Sequence, residues 1–124
     1  MALIMVIEED ELIRSILCEV IEQSGYDVIE APDCESGERL FHTKHADLVI
    51  GHLCDSGSGV PDRITLLKEK FPDARIITMA GRKTESAETA GLMSTIRTLT
   101  RPFKPQEMMR LIREMVLNQQ VSAE

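Results

Sequence analysis

The chain lacks any apolar run approaching the ~20 residues needed to span a bilayer, and its start, MALIMVIEED, has no basic segment ahead of the apolar one. A membrane span and a signal peptide are therefore not expected. It lacks excess positive charge: 14 Lys and Arg stand against 21 Asp and Glu, a formal net charge of -7. With no basic stripe to neutralise phosphates, neither nucleic acid nor an anionic membrane is an expected partner. It has little cysteine, three residues with no CxxC pair. That argues against a disulfide framework or a zinc cluster, leaves Cys18 and Cys34 as small core or surface residues, and makes a reducing cytoplasm the expected location. No Ser-His-Asp set is apparent, and an enzyme is not expected.

What is there is ordinary globular composition for a single domain over residues 1–124, with a polar tail from about residue 119. The central stretch is ADLVIGHLCDSGSG, from Ala46 to Gly59. Leu48 to Gly51 reads as a buried strand that delivers His52 to a Ser- and Gly-rich loop. Leu3 to Ile7 is a first continuous apolar run, buried on both faces. Asp10 is placed to cap a helix in which Leu12, Ile13, Ile16, Leu17, Val20 and Ile21 recur at helical spacing, and Gly25 ends it.

Asp27 to Ala31 is a short strand. Pro32-Asp33 opens a second helix whose main apolar residues are Leu40 and Phe41. Pro61 opens a third, with Ile64, Leu67 and Phe71 on one face, and Pro72 stops it. Arg75 to Met79 is a fourth strand, Gly81 to Thr84 a basic loop, and Glu85 to Met93 a short fourth helix. Arg97 to Thr100 is a weak fifth strand. Met108, Leu111, Ile112, Met115 and Val116 mark the final helix. Five such βα units imply a doubly wound α/β domain with a five-stranded parallel sheet.

In a parallel sheet the functional groups collect beyond the carboxyl ends of the strands. Here those are Glu8 and Glu9, His52, Ala80 and Arg101. Two adjacent acids can hold a divalent cation through oxygen, or can simply favour a helix N-terminus. A phosphate-cradling turn needs glycines with free N–H groups. The first turn, Ile7-Glu8-Glu9-Asp10-Glu11, has four carboxylates and no glycine, so nucleotide and flavin binding are not expected.

IMVIEEDELIR, SGYDVIEA, ADLVIGHL, FPDARIITMAG and LTRPFKPQEM, in that order and spacing, resemble the receiver domain of bacterial two-component response regulators. The resemblance covers nearly the whole chain. It implies the flavodoxin-like (βα)5 receiver fold and a site built from an acidic pair, a phosphoacceptor aspartate, a Ser or Thr hydroxyl and a lysine. Carried over position by position, Glu8 and Glu9 stand at the acidic pair and His52 at the phosphoacceptor. Ala80 stands at the hydroxyl, Arg101 at the lysine and Thr98 at the aromatic switch residue. Pro102, after Arg101, resembles the proline that follows a cis bond in the family. Asp55, three residues past the strand end, is an alternative acceptor in an atypical loop.

Every element of the switch is thus altered, giving a degenerate pseudo-receiver. The expectation is a stand-alone protein-interaction module in two-component or phosphorelay signalling, not switched by aspartyl phosphorylation. Its expected partner is a kinase, a phosphotransferase or a downstream regulator. A homodimer through the fourth helix, fifth strand and final helix is a further expectation, with Arg82, Lys83, Arg97 and Met109 on that surface. No cofactor is required. Weak divalent metal remains an alternative, Mg on the carboxylates or Mn and Zn if His52 joins Glu8 and Glu9. The other alternative is an active receiver phosphorylated on Asp55. Electrostatically, Glu8 and Glu9 can pair with Arg101, and a raised His52 pKa is expected beside the remaining acid.

Overall fold

The computed structural model describes residues 2–51, 68–80, 96–100 and 102–122, the last of these by backbone alone from residue 118. β1 (Leu3–Ile7), β2 (Asp27–Ala31), β3 (Leu48–Gly51), β4 (Arg75–Ala80) and β5 (Ile96–Thr100) form one sheet in the order β2-β1-β3-β4-β5. Every neighbouring pair is parallel. The strands expected from apolar runs are all present. β4 and β5 are each one residue longer than the sequence reading.

Alternation along the strands sorts the core into two layers. Ile4, Val6, Leu48, Ile50, Ile77, Met79 and Leu99 face α1 (Glu11–Gln23) and the C-terminal helix (Pro105–Ser122), which supply Leu17, Cys18, Ile21, Met108, Leu111, Ile112, Met115 and Val116. Met5, Ile7, Val49, Ile76 and Ile96 face the other way, toward Phe41 of α2 (Cys34–Thr43) and Phe71. The two phenyl rings meet edge to face with centroids 5.6 Å apart, a favourable quadrupole arrangement. Residues 68–70 are helical. Lys70 Nζ donates to Glu38 Oε1 at 3.1 Å, tying this end to α2.

The helix starts follow their caps. Asp10 Oδ1 accepts from the N–H groups of Leu12 and Ile13, at 3.0 and 3.1 Å. Asp33 Oδ1 accepts from Ser36 N at 2.7 Å and thereby caps α2. That bond holds the Asp33 carboxyl below its usual pKa. Gly25 takes φ 99°, past the end of α1, where a side chain would be strained. At the opposite sheet edge Asp47 binds three strands. Its N–H donates to Leu3 O, its Oδ2 accepts from Leu3 N, and its carbonyl accepts from Arg75 N.

Several expectations are corrected. Leu12, Ile13 and Ile16 are exposed (69%, 42% and 51%), although their spacing continues the apolar stripe of α1. The sheet is reached only by the flank carrying Leu17, Cys18 and Ile21. Met109 is not free on the surface: it is half-buried against the core layer shared by α1 and the C-terminal helix. The C-terminal helix continues to Ser122, through residues 119–122 that composition assigned to a tail, since no Gly or Pro interrupts it. Cys34 is disulfide-bonded, against the expectation of a small core or surface residue. Among the described residues the free thiol is Cys18, which is buried.

Two glycines allow close approaches to β1, Gly51 that of β3 and Gly37 that of α2. A Cβ on Gly51 would lie 2.0 Å from the Ile7 carbonyl oxygen, which is backbone and cannot step aside. A Cβ on Gly37 would lie 2.7 Å from Ile7 Cδ1, the end of a side chain that can rotate. We expect Gly51→Ala to cost roughly 3 kcal/mol or more. We expect Gly37→Ala to cost about 1 kcal/mol or less, the clash being offset by alanine's helix propensity. Urea unfolding of the two variants measures the contrast.

Burial, with Glu30 and Glu22 adding to it and Arg14 opposing, pushes the Cys18 thiol from its ordinary 9.0 up to about 11. A raised folded-state pKa contributes stability that is full below the unfolded pKa and is lost as pH rises through the folded one. Stability should therefore fall between about pH 9 and 11 more steeply in the wild type than in Cys18→Ala. Iodoacetamide at pH 8 should leave Cys18 unmodified until the chain is unfolded, as peptide mass mapping would show.

Candidate functional site

The register of the sheet decides what can meet at its carboxyl edge. Ile7 pairs with Gly51, Gly51 with Thr78, and Thr78 with Thr98. One residue beyond this row the chain leaves β1 as Glu8 and leaves β3 as position 52. Ala80 and Thr100 pair two residues beyond the row and end their strands. The backbone thus brings Glu8, Ala80 and the carboxyl ends of β3 and β5 to one edge.

The acidic pair is divided by its surroundings. Glu8 is 7% exposed and Glu9 lies in solvent. Glu8 N donates to Ala31 O at 3.1 Å. Its Oε2 accepts from Asp10 N at 3.0 Å, folding the carboxylate back over the turn that starts α1. Its carbonyl accepts from Arg14 Nη1 at 2.8 Å, while Arg14 Nε donates to Glu30 Oε1 at 3.0 Å. Arg14 is 14% exposed and Glu30 54%. One guanidinium therefore clamps the end of β1 to β2, using the planar fork that suits two acceptors at once.

Thr78 and Thr98 face each other across β4 and β5 with their Oγ1 atoms 3.2 Å apart. Thr78 is buried, and the hydrogen bond satisfies a hydroxyl that would otherwise be costly there. Thr98, the residue expected at the switch position, has its hydroxyl engaged within the sheet. On the other face of β5, Arg97, Leu99, Glu107, Arg110, Leu111 and Glu114 line a groove of about 260 Å³ that Thr98 also borders. Of the residues from the sequence reading, Arg97 lines this groove, Met109 packs against the core layer and Pro102 is exposed.

His52, Asp55, Arg82, Lys83 and Arg101 lie outside the described residues, and with Arg101 the Arg101–Pro102 bond and its expected pairing with Glu8 or Glu9. Sequence reasoning missed Arg14 and Thr78. Arg14 is the one basic residue on an acidic helix, the available signal for a buried clamp. Thr78 is the one polar side chain between Ile77 and Met79 in an apolar strand.

The family described as response regulator receiver domain matches residues 4–113. The phosphate regulon transcriptional regulatory protein PhoB of Klebsiella pneumoniae is 30% identical over 114 residues, which is 89% of this chain and 49% of that protein. The alkaline phosphatase synthesis transcriptional regulatory protein PhoP of Bacillus subtilis is 27% identical over 124 residues, 97% of this chain and 50% of that one. The chain spans about half the length of these curated relatives. A response regulator receiver domain protein from Clostridium thermocellum superposes with a TM-score of 0.78 at 19% identity, covering 98% of each chain. That likeness supports the fold.

Removing the Arg14 clamp should be felt well beyond the loss of one surface ion pair. Arg14→Gln is expected to destabilise by about 1–2 kcal/mol, because a buried carbonyl loses a charged donor. Glu30→Gln should cost less than about 0.5 kcal/mol, its carboxylate being half in water. Denaturant titration of both variants checks the order.

Proposed function

We propose that this chain, which belongs to the response regulator receiver family, is a pseudo-receiver: a protein-interaction module that aspartyl phosphorylation does not switch. As a receiver domain it works in two-component signalling, where such domains engage kinases or downstream regulators. The observation that carries the reading is the register of β3. Gly51 ends the strand beside Ile7, and the next residue, at the family's phosphoacceptor position, is His52. An imidazole cannot form an acyl phosphate.

Two further positions support this. Ala80, at the end of β4, has no hydroxyl to follow a phosphoryl group. Glu8, one of the two acids at the magnesium position, already holds Asp10 N with its carboxylate. That bond ties one carboxylate oxygen to the turn that starts α1. In this reading no cofactor is required, the domain is not an enzyme, and its output is a fixed surface rather than a phosphorylation-dependent one.

Acetyl phosphate with magnesium should leave the intact mass unchanged. An addition of ~80 Da that survives in His52→Ala and disappears in Asp55→Ala would overturn the reading and identify a displaced acceptor. An addition lost in His52→Ala would overturn it in favour of phosphohistidine.

A further inference from the structure

Two cysteines stand at matching distances along the chain from the carboxyl edge of the sheet. Ala31, Ile7 and Gly51 pair in one row across β2, β1 and β3. Cys34 lies three residues past Ala31, and Cys54 three residues past Gly51. Neighbouring strands are ~4.8 Å apart, so Ala31 and Gly51 stand roughly 10 Å from each other. Three residues of chain reach at most ~10 Å, which lets the two positions close to the ~5.5 Å Cα separation of a disulfide.

The states of the other sulfurs leave one partner within the chain. The sequence has three cysteines, Cys18, Cys34 and Cys54. Cys34 is disulfide-bonded. Cys18 is a free thiol, buried in the layer between the sheet and α1, whereas Cys34 packs against the opposite layer. The sheet stands between the two. Cys54 lies outside the described residues and is the sulfur that remains. Cys34 itself is the first residue of α2 and half-buried, so a small thiol can reach it from solvent.

We propose that Cys34 and Cys54 form a redox-responsive bridge that ties the start of α2 to the chain that follows β3, beside position 52. Cys54 follows His52 by two residues and directly precedes Asp55. β1 lies between β2 and β3, so the bridge joins the two strand exits that flank Glu8. Opening is thiol–disulfide exchange with a thiol reductant of the glutathione class. One glutathione thiolate attacks a bridge sulfur and expels the other as a thiolate, which takes up a proton. A second glutathione thiolate attacks the mixed disulfide and releases the second cysteine, leaving oxidised glutathione. The two electrons gained by the bridge are the two that glutathione loses, and oxidised glutathione reverses both steps. The oxidised chain holds the segment bearing His52 and Asp55 to α2, and the reduced chain releases it, so redox state sets this edge without phosphate. The bridge goes beyond the interaction-module reading and does not rest on it.

In the test, the full chain, purified without reductant, is alkylated in denaturant and digested with trypsin and a glutamate-specific protease, which cut between Cys18 and Cys34. The expected product is a Cys34–Cys54 peptide pair two hydrogens lighter than its separate members, with Cys18 alkylated. Cys18→Ser should retain that pair. In glutathione buffers the pair should disappear reversibly as the reduced form rises. Reduction should lower the melting temperature by about 5 °C or more and shift the amide resonances of Cys34 to Gly37 and of Val49 to Gly51. Cys34→Ser and Cys54→Ser should each match the reduced wild type and lose the response to reductant. Cys34 joined to Cys18, to a second chain or to no sulfur at all would overturn the proposal. So would a bridge that no glutathione ratio opens, or one whose reduction leaves those resonances and the melting temperature unmoved.

Discussion

The contact on which the functional edge depends is the approach of β3 to β1 at Gly51. The Ile7 carbonyl occupies the space a Cβ would need. Any other residue would push the strands apart just where both chains leave the sheet. Because the strands close there, Glu8 leaves β1 beside the carboxyl end of β3, with the ends of β4 and β5 next in the same row. The receiver framework is therefore built by backbone packing that is indifferent to which residue follows Gly51. This is how the frame can persist while the chemistry at position 52 changes.

The groups beside that joint are tied down rather than left available. Arg14 links the end of β1 to Glu30, Asp10 caps α1 while its N–H engages Glu8, and Thr98 is bonded to Thr78. A phosphorylation switch needs a bistable element whose two states a ligand can bias. Internal hydrogen bonds that satisfy the same groups without ligand favour one arrangement, and the proposed reading takes the domain to be held in it.

Much of the fold was legible in the sequence because buried parallel strands are short continuous apolar runs, and β1, β3 and β4 are such runs. The caps were legible too, since Asp10 and Asp33 act through local geometry. Three things were not. Periodicity counted Leu12, Ile13 and Ile16 with Leu17 and Ile21, because spacing cannot say how much of a wide stripe a neighbour covers. Arg14 was passed over, because its burial depends on Glu30 of β2, sixteen residues away. The separation of Glu8 from Glu9 follows from the turn direction at the strand end, which composition does not encode. The family resemblance, by contrast, rested on five pieces in order, and the family match confirms it.

Amide NMR spectra with magnesium and beryllofluoride, a non-covalent phosphoryl mimic, test the central claim most directly. If the site does not accept a phosphoryl group, the resonances of Thr98 to Thr100 and of the C-terminal helix should stay where they are in the free protein. A saturable shift of those resonances, absent when beryllofluoride is omitted, would show a working acceptor site coupled to β5 and would contradict the account.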